Sequence, residues 1–420
     1  MNKFIITASL IIGILVGFRG FFEILGFSAS TNLIAFILTF ILAFSATFKK
    51  KFIFPLLPIV IFFIITSFLS SVMSGTNIFQ FLSYSKTVIG FFICFLIALV
   101  NFTDIRSSKY IRNIGLAILL FQIPAYFIKF IILGFSEDPA GTISSRDGSA
   151  TTIIAIGGFI FFIMKYIADP IKNKKNLIVA FLFLVISQIN EKRAIIILAP
   201  LFFFYLLFQS SKNKENIIAF FFKRMPYFIF GLPVFIYLMA IFNPFLNPSG
   251  EFLGSFDFDF LVNFISSYIY RPDVTVWDYG RLQSFVVVFS FLFNADLSQF
   301  LFGGGTGSII ANTGGVTDVI GIRYGARMGF AWVFLQHGLF GIISILMIFR
   351  SLFRTLRRYE FNQKIKNEHN ALKAYTLLLA LDFFLYSSIS LFYPIFIFIF
   401  LAQYNYILNL CKQNKELANN

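Results

Sequence analysis

The polar stretch from residue 247 to residue 341 interrupts an otherwise apolar sequence, and the rest of the chain is organised around it. It reads NPSGEFLGSFDFDF (247–260), RPDVTVWDYGRLQSF (271–285), FLFGGGTG (300–307) and GIRYGARMGF (321–330). Four arginines, Arg271, Arg281, Arg323 and Arg327, lie in it among seven acidic residues. The apolar sequence on both sides predicts a membrane protein with one large loop outside the bilayer.

The composition excludes a soluble globular protein. Hydrophobic residues make up 58% of the 420 residues, charged residues make up 13%, and the mean hydropathy is +0.84. The net charge of +15 does not indicate nucleic-acid binding, because Lys and Arg fall mostly between the apolar spans. The two cysteines, Cys94 and Cys411, predict neither a disulfide framework nor a metal site. The N-terminal MNKFIITASLIIGILVG resembles a signal peptide, but no small-residue cleavage site follows, so we expect residues 4–26 to form the first span.

The predicted fold class is all-α, a polytopic integral membrane protein. A membrane-spanning helix needs about 20 mostly apolar residues. Twelve stretches are candidates, at 4–26, 31–48, 52–74, 79–101, 113–134, 150–168, 176–190, 194–209, 226–243, 328–349, 374–391 and 394–410, of which the seventh and eighth are short. They divide the chain into an N-terminal bundle of about nine helices (1–243), a large outer loop (244–327), and about three helices with a tail (328–420).

The basic residues predict the orientation. Alternate connections hold Lys49–Lys51, then Arg106, Lys109 and Arg112, then Lys172, Lys174 and Lys175, then Lys212, Lys214, Lys223 and Arg224, then a long basic loop from Arg350 to Lys373, and finally Lys412 and Lys415 in the tail. The opposite connections at 27–30, 75–78 and 392–393 hold none. By the positive-inside rule, both termini and the basic loops are cytoplasmic.

The outer loop is predicted to contain a surface helix. Its centre, Leu282–Phe302, is apolar but broken by Asn294, Asp296 and Gln299. This pattern predicts an amphipathic helix at the membrane surface, because a thirteenth span would place the basic loop after Arg350 outside. The segments 135–149 and 190–193 are predicted to lie on the same outer side.

Two arginine–glycine pairs of equal spacing stand at predicted loop-to-helix boundaries. Gly157 follows Arg146 by eleven residues, and Gly338 follows Arg327 by eleven. Eleven helical residues span about three turns and roughly 16 Å, so each pair would share one helix face. The glycine would leave room for a neighbouring helix or a lipid chain. In a chain with 27 glycines, chance coincidence of this spacing stays open as an alternative.

The other outer arginines have local explanations as alternatives. Arg193 follows Glu191 in a tight turn, where it serves either as an interfacial anchor or as a further guanidinium in an outer cavity. Arg281 and Arg271 have nearby carboxylates and can form salt bridges, the former with Asp278. Arg323 stands four residues before Arg327, on one helical face, or is simply solvated.

Arginine on the outer side needs a local reason, and phosphate recognition supplies one. A guanidinium is always charged and binds phosphate oxygens through two parallel hydrogen bonds. Lysine is nearly absent from the predicted outer face, with Lys192 and Lys129 as exceptions. The contrast favours recognition of a lipid-linked diphosphate over general charge.

Other constellations are weaker. The GGGTG sequence at 303–307 lacks the Lys-Ser/Thr that closes a phosphate-binding loop. Asp257 and Asp259 form a D-x-D pattern without further ligands, so no metal is predicted. His337 is expected to be a hydrogen-bonded core residue rather than a catalyst.

Charged residues inside predicted spans include Arg19, Glu23, Lys86 and Asp382. Arg19 and Glu23 stand one helical turn apart, which predicts a local ion pair. Lys86 and Asp382 must face a cavity or a partner, and the sequence leaves open whether they meet each other.

With these features in view, the chain resembles bacterial O-antigen polymerases and, more broadly, the O-antigen ligase/polymerase superfamily. The similarity covers the layout of about twelve spans with one large loop before the last few. The local signatures are EKRAIII (191–197), YGR (279–281), FLFGGGTG (300–307), FLQHGLFG (334–341) and the two Arg-to-Gly spacings.

The resemblance implies glycosyl transfer at the periplasmic face of the bacterial inner membrane, with both termini cytoplasmic. The growing glycan would leave its undecaprenyl diphosphate and join a fresh lipid-linked repeat unit. The residues expected to bind the diphosphate are Arg146, Arg193, Arg281, Arg323 and Arg327, and Arg327, Arg193 and Arg281 would also stabilise the leaving group. Glu191 and Asp278 are the candidate bases. The resemblance implies no cofactor and no metal; its partners are the lipid-linked donor and acceptor, the bilayer and a chain-length-determining co-polymerase, with no nucleic acid.

Two other functions stay open. Ligases of the superfamily have a histidine at the start of the helix that contains the G-L-x-G element. That position falls at or beside Arg327 here, and His337 is too close to Gly338 to replace it, which favours a polymerase. A lipid-linked oligosaccharide flippase should show a two-fold repeat and short outer loops, which this chain lacks.

Overall fold

The structure is a computed structural model that describes a large part of the chain. The described residues are 2–47, 57–85, 105–133, 141–143, 151–189, 194–210, 226, 231, 234, 237, 266, 289–290, 293–306, 317–319, 322–324, 329–358, 363–385, 398–400 and 402–410. Apart from one short hairpin and the turns between elements, they form helices. The helices and strands are α1 (Asn2–Gly17), α2 (Arg19–Ile24), α3 (Ser28–Thr47), α4 (Leu57–Met73), α5 (Ile78–Tyr84), α6 (Ile105–Leu133), α7 (Thr151–Ala168), α8 (Lys174–Ile189), α9 (Ala194–Ser210), α10 (Leu297–Phe302), β1 (Thr317–Val319), β2 (Ile322–Tyr324), α11 (Gly329–Arg358) and α12 (Gln363–Leu385).

Three of these helices are long and apolar enough to cross a membrane, over Ile105–Ile132, Thr151–Ala168 and Gly329–Arg357. Shorter apolar helices cover Lys3–Gly17, Ser30–Phe44, Pro58–Met73 and Leu198–Ser210. Large apolar side chains point outward from this bundle, among them Phe40, Phe44, Ile65 and Phe68, each about half exposed. Such an apolar outer surface is what a bilayer covers. The total of twelve spans stays a prediction, since several of the predicted spans lie largely outside the described residues.

Helix α7 is the centre of the described bundle. Every residue from Thr151 to Met164 is buried, because α8, α9 and α12 pack around it. Two adjacent glycines permit this close packing. A Cβ at Gly157 would lie 2.6 Å from the Tyr375 ring of α12, and a Cβ at Gly158 would lie 2.5 Å from the Phe183 ring of α8. The prediction that Gly157 leaves room for a neighbouring helix is confirmed.

The first predicted span is two helices. Phe18 separates α1 from α2, and the connection carries a backbone hydrogen bond from Gly20 N to Thr142 O of 2.8 Å. The ion pair predicted between Arg19 and Glu23 is confirmed, with Nε 2.9 Å from Oε1. Its partners are neighbours on one helix face, so sequence spacing alone is sufficient to bring them together.

The prediction of a long basic loop from Arg350 to Lys373 is wrong. Helix α11 continues to Arg358 and α12 begins at Gln363, so only residues 359–362 lie between the two described helices. His369 Nε2 lies 2.6 Å from Leu356 O, which joins the start of α12 to the end of α11. Charge ends an apolar stretch but does not end a helix, because Lys, Arg, Glu and Gln are good helix formers.

The outer loop is described in parts. Phe289, Phe293 and Phe300 are helical, and α10 covers the end of the stretch predicted as an amphipathic helix. Phe293 and Leu297 are more than 70% exposed, and residues 295 and 296 between them are not helical, so the predicted helix is interrupted there. Beyond it, β1 and β2 pair in antiparallel register, with Asp318 opposite Arg323. This hairpin was not expected from the sequence.

Candidate functional site

The site forms where the glycine-rich segment of the outer loop meets a break in α11. Gly338 has φ 61° and ψ −159°, which are not helical values, so α11 is two helical pieces joined at this residue. The predicted continuous helix from 328 to 349 is therefore wrong at Gly338. The glycine does not sit on a helix face; its backbone interrupts the helix.

Gly303 and Gly338 touch backbone to backbone, and we call this the glycine contact. A Cβ at Gly303 would lie 2.5 Å from the carbonyl carbon of Gln336 and 2.6 Å from the amide nitrogen of Gly338. A Cβ at Gly338 would lie 2.5 Å from the amide nitrogen of Gly303 and 2.5 Å from the carbonyl carbon of Leu301. Both residues have positive φ, 83° and 61°, with extended ψ, a conformation that is essentially restricted to glycine. Glycine is therefore required on both sides of the contact.

The break in α11 turns helix carbonyls toward other elements. Leu335 O accepts from Gly304 N at 2.6 Å, and Gln336 O accepts from Ser70 Oγ of α4 at 2.6 Å. These bonds satisfy carbonyls in the turn before the break and fasten the loop and α4 to α11. Gly305, with φ 110°, fits closely against the hydroxyls of Ser74 and Thr76 just beyond α4.

A buried polar cluster lies beneath the glycine contact and consists of Ser67, Ser71, Thr306 and His337. Ser67 Oγ lies 3.0 Å and Thr306 Oγ1 lies 3.3 Å from His337 Nδ1. Thr306 Oγ1 donates to Ser67 O at 2.8 Å, and Ser71 Oγ donates to Thr306 O at 3.2 Å. All four side chains are at most 5% exposed. The expectation that His337 is a hydrogen-bonded core residue is confirmed.

The proton positions in this cluster follow from hydroxyl chemistry. Ser67 Oγ donates its single proton to Phe63 O at 2.6 Å, and Thr306 Oγ1 donates its own to Ser67 O. A hydroxyl has one proton, so neither oxygen can also donate to His337. The His337 tautomer that suits these hydroxyl positions carries its proton on Nδ1, which lies within hydrogen-bond distance of both oxygens. The imidazole ring also packs on Phe63, with ring centroids 4.9 Å apart.

Aromatic packing holds the outer loop on the first turns of α11. The Phe289 ring lies 5.9 Å from Phe330 and 5.5 Å from Phe334, and the Phe300 ring lies 6.1 Å from Phe334. Each separation is in the range of favourable ring pairs. The loop is thus attached to the helix that begins two residues after Arg327.

A second attachment bears on the segment that carries Arg146. Thr142 N donates to Gln122 Oε1 at 2.9 Å, and Gln122 Nε2 donates to Thr142 Oγ1 at 2.7 Å. On the far side of Arg146, Tyr126 OH donates to Thr151 Oγ1 at 2.9 Å. Helix α6 therefore binds the chain both before and after Arg146.

Most of the predicted site residues lie outside the described part of the chain. These are Arg146, Glu191, Arg193, Asp278, Arg281 and Arg327, as well as Asp257, Asp259 and Lys86. Arg323 lies in strand β2 and is described there as a backbone position, so the prediction that it shares a helical face with Arg327 is wrong. Whether the arginines meet in one cavity stays a prediction. Among the described residues, no group of three or more His, Cys, Asp or Glu side chains is arranged to hold a metal ion.

The residues that sequence reasoning missed are the serines of α4 and Ser74, which directly follows that helix. Ser67, Ser70, Ser71 and Ser74 follow one another at the spacing of a single helix face within an apolar span. A row of serines on one face of an apolar span indicates a buried polar contact. This row was the feature of the sequence that could have revealed the cluster. Its partners, Thr306 and the turn at Gln336–His337, are distant in sequence and carry no matching signal.

No protein-family model and no curated protein sequence matches this chain.

Proposed function

We propose that this protein is a bacterial O-antigen polymerase, which joins undecaprenyl-diphosphate-linked repeat units at the periplasmic face of the inner membrane. The observation that carries the proposal is the glycine contact. It joins FLFGGGTG and FLQHGLFG, two of the signatures on which the resemblance rests, although the two glycines are 35 positions apart. Two short motifs that pack against each other are stronger support than two motifs that occur separately.

The proposed chemistry follows from the leaving group. As the bond between the glycan and undecaprenyl diphosphate breaks, negative charge grows on the diphosphate. Arg327, Arg193 and Arg281 would stabilise that charge more in the transition state than in the ground state, by about 2–4 kcal/mol for each contact. Arg146 and Arg323 would hold the diphosphate in place. Glu191 or Asp278 would accept the proton of the attacking hydroxyl.

The glycine contact has a specific part in this proposal. It holds the outer loop against α11 at Gly338, eleven residues after Arg327, while Phe289 and Phe300 pack on Phe334 nearer the start of the same helix. Under the proposal, Arg327 would be held two residues before a helix that is anchored on two sides, and recognition of a diphosphate requires a fixed position of this kind.

The test is a gene deletion restored with variants, with surface polysaccharide separated on a gel. We expect the deletion to leave core carrying a single repeat unit and the wild type to restore a ladder. Arg327→Ala and Arg146→Ala should leave the single-unit pattern although the protein is inserted in the membrane. Arg327→Lys should restore little, because an ammonium cannot form the paired hydrogen bonds.

The matched control is Arg354→Ala, an exposed arginine on the far part of the same helix, which should restore a full ladder. Full ladders from both Arg327→Ala and Arg146→Ala would remove these residues from the mechanism. Lipid-linked polymer that accumulates without reaching the core would indicate a ligase. Single units trapped on the inner leaflet would indicate a flippase.

A further inference from the structure

At the other end of the bundle, a cavity of about 190 Å³ lies between α6, α7, α12 and the helical residues 402–410. Its polar lining consists of Arg112, Lys165, Asn173, Asn367, Glu368 and Gln403. It lies where α11 ends and α12 begins, so it is distant from the glycine contact. On the predicted orientation, this end of the bundle is cytoplasmic. We call it the charged cavity.

The lining holds two cations against one carboxylate. Arg112 Nη1 donates to Glu368 Oε1 at 2.9 Å, and the Arg112 guanidinium stacks on the Tyr406 ring at 4.2 Å. Since the Arg112 side chain is only 13% exposed, the pair is partly withdrawn from water. The one carboxylate of the lining is thus already bound to one cation.

Lys165 is the second cation and has no carboxylate of its own. Its ammonium lies 4.9 Å from the centre of the Phe162 ring, and no described carboxylate lies within ion-pair distance of it. A partly buried ammonium is unfavourable without an anionic partner. Arg112 also donates from Nε and Nη2 to Asn113 Oδ1, and Asn173 Nδ2 donates to Lys165 O. The Arg112 N–H groups that these bonds leave over and the side-chain amides of Asn367 and Gln403 add donors around the same space.

The size of the cavity limits the ligand. Its volume corresponds to about six water molecules and lies below the roughly 300–1,000 Å³ of sites for drug-sized ligands. A whole nucleotide, oligosaccharide or lipid headgroup is therefore too large, and only a single phosphate group of a larger ligand can enter the cavity. A tetrahedral oxyanion fits the space, the charge and the donors.

We propose that the charged cavity binds a phosphate group, held by Arg112 and Lys165. The group is either inorganic phosphate or the phosphodiester of an anionic lipid headgroup. Apolar residues line the rest of the cavity, including Leu116, Phe161 and Met164. This inference does not depend on the proposed polymerase function.

The experiment uses the purified full-length protein in detergent and in lipid nanodiscs. Native mass spectrometry counts bound phosphatidylglycerol against phosphatidylcholine, and thermal unfolding is followed with increasing inorganic phosphate. Lys165→Gln should weaken binding of the phosphate-bearing probe about tenfold, the usual effect of losing one charge-assisted hydrogen bond. Lys165→Arg should retain binding.

The matched control is Lys172→Gln, a lysine at the same end of the bundle whose side chain is 85% exposed. It should bind as the wild type does. Size-exclusion elution of each variant distinguishes a folding defect from a binding defect. Arg112→Lys gives a second test, because it keeps the positive charge but loses the paired N–H donors of the guanidinium.

The lipid-binding and thermal-unfolding measurements distinguish the two possible sources of the phosphate group. Lys165-dependent stabilisation by inorganic phosphate alone identifies a free-phosphate site, and Lys165-dependent retention of phosphatidylglycerol identifies a lipid headgroup site. Equal binding of both probes by the wild type and Lys165→Gln, with both proteins folded, overturns the proposal.

Discussion

Gly303→Ala is the substitution that tests the glycine contact most directly. At φ 83° and ψ −174°, an alanine is strained by about 1–3 kcal/mol. Its Cβ would also lie 2.5–2.6 Å from three backbone atoms of Gln336, His337 and Gly338, and such overpacking adds about 1–3 kcal/mol. We expect the segment at 303–306 to separate from α11 locally, because this relieves about 2–6 kcal/mol without unfolding the bundle.

Amide hydrogen exchange measures this opening. The Gly304 amide donates to Leu335 O and should be protected in the wild type. A destabilisation of about 4 kcal/mol, the middle of the expected range, raises its exchange rate about a thousandfold. The peptide containing residues 300–306, followed by mass spectrometry in detergent, reports this change.

Two glycines serve as controls. Gly75 has φ +67° with no atom within 4 Å of an added Cβ, so Gly75→Ala carries the conformational strain alone. Gly231 has no atom within 4 Å of an added Cβ and no positive φ, so Gly231→Ala should leave the exchange rate of the Gly304 amide unchanged. Adding Gly338→Ala to Gly303→Ala should destabilise less than the sum of the two, because the first substitution already opens the contact. Wild-type exchange at Gly304 in the Gly303→Ala protein would refute the reasoning.

Two further predictions concern packing inside the bundle. Thr306→Val removes a buried hydroxyl that donates to a backbone carbonyl, and it should lower the unfolding free energy by about 1–3 kcal/mol in thermal melts. Thr355→Val, whose hydroxyl bonds only within its own helix, should change it by less, and an equal loss would contradict the assignment. Gly157→Ala should destabilise by about 1–3 kcal/mol, because the new Cβ would lie 2.6 Å from the Tyr375 ring. Combining Gly157→Ala with Tyr375→Leu should recover part of that loss in the same melts. If the two destabilisations simply add in the double variant, the explanation is wrong.

Local properties of the chain were readable from the sequence. The predicted stretches 150–168, 176–190 and 194–209 match α7, α8 and α9 within two residues at each end. The pairing of Arg19 with Glu23 was equally readable. Hydropathy, helix period and one-turn spacing all involve residues close in sequence, so no knowledge of the packing is needed.

Predictions from the sequence were wrong at the end of α11 and at Gly338. The basic residues between 350 and 373 mark the end of an apolar span, yet α11 continues to Arg358. A glycine inside an apolar helix predicted a packing face at Gly338, whereas its positive φ breaks the helix. Hydropathy reports where the apolar surface ends, and neither the backbone conformation nor the helix end follows from it.

The sequence alone therefore determined that this is a helical membrane protein, and it drew attention to the glycine-rich segment without indicating its role. Only the tertiary structure decided that Gly303 meets Gly338, that the α4 hydroxyls surround His337, and that Arg112 and Lys165 line one cavity. Arg112 and Glu368 are separated by 256 positions, and the atoms in contact come from different helices. Such contacts depend on how whole helices pack and on which backbones can approach closely, and a single sequence records neither.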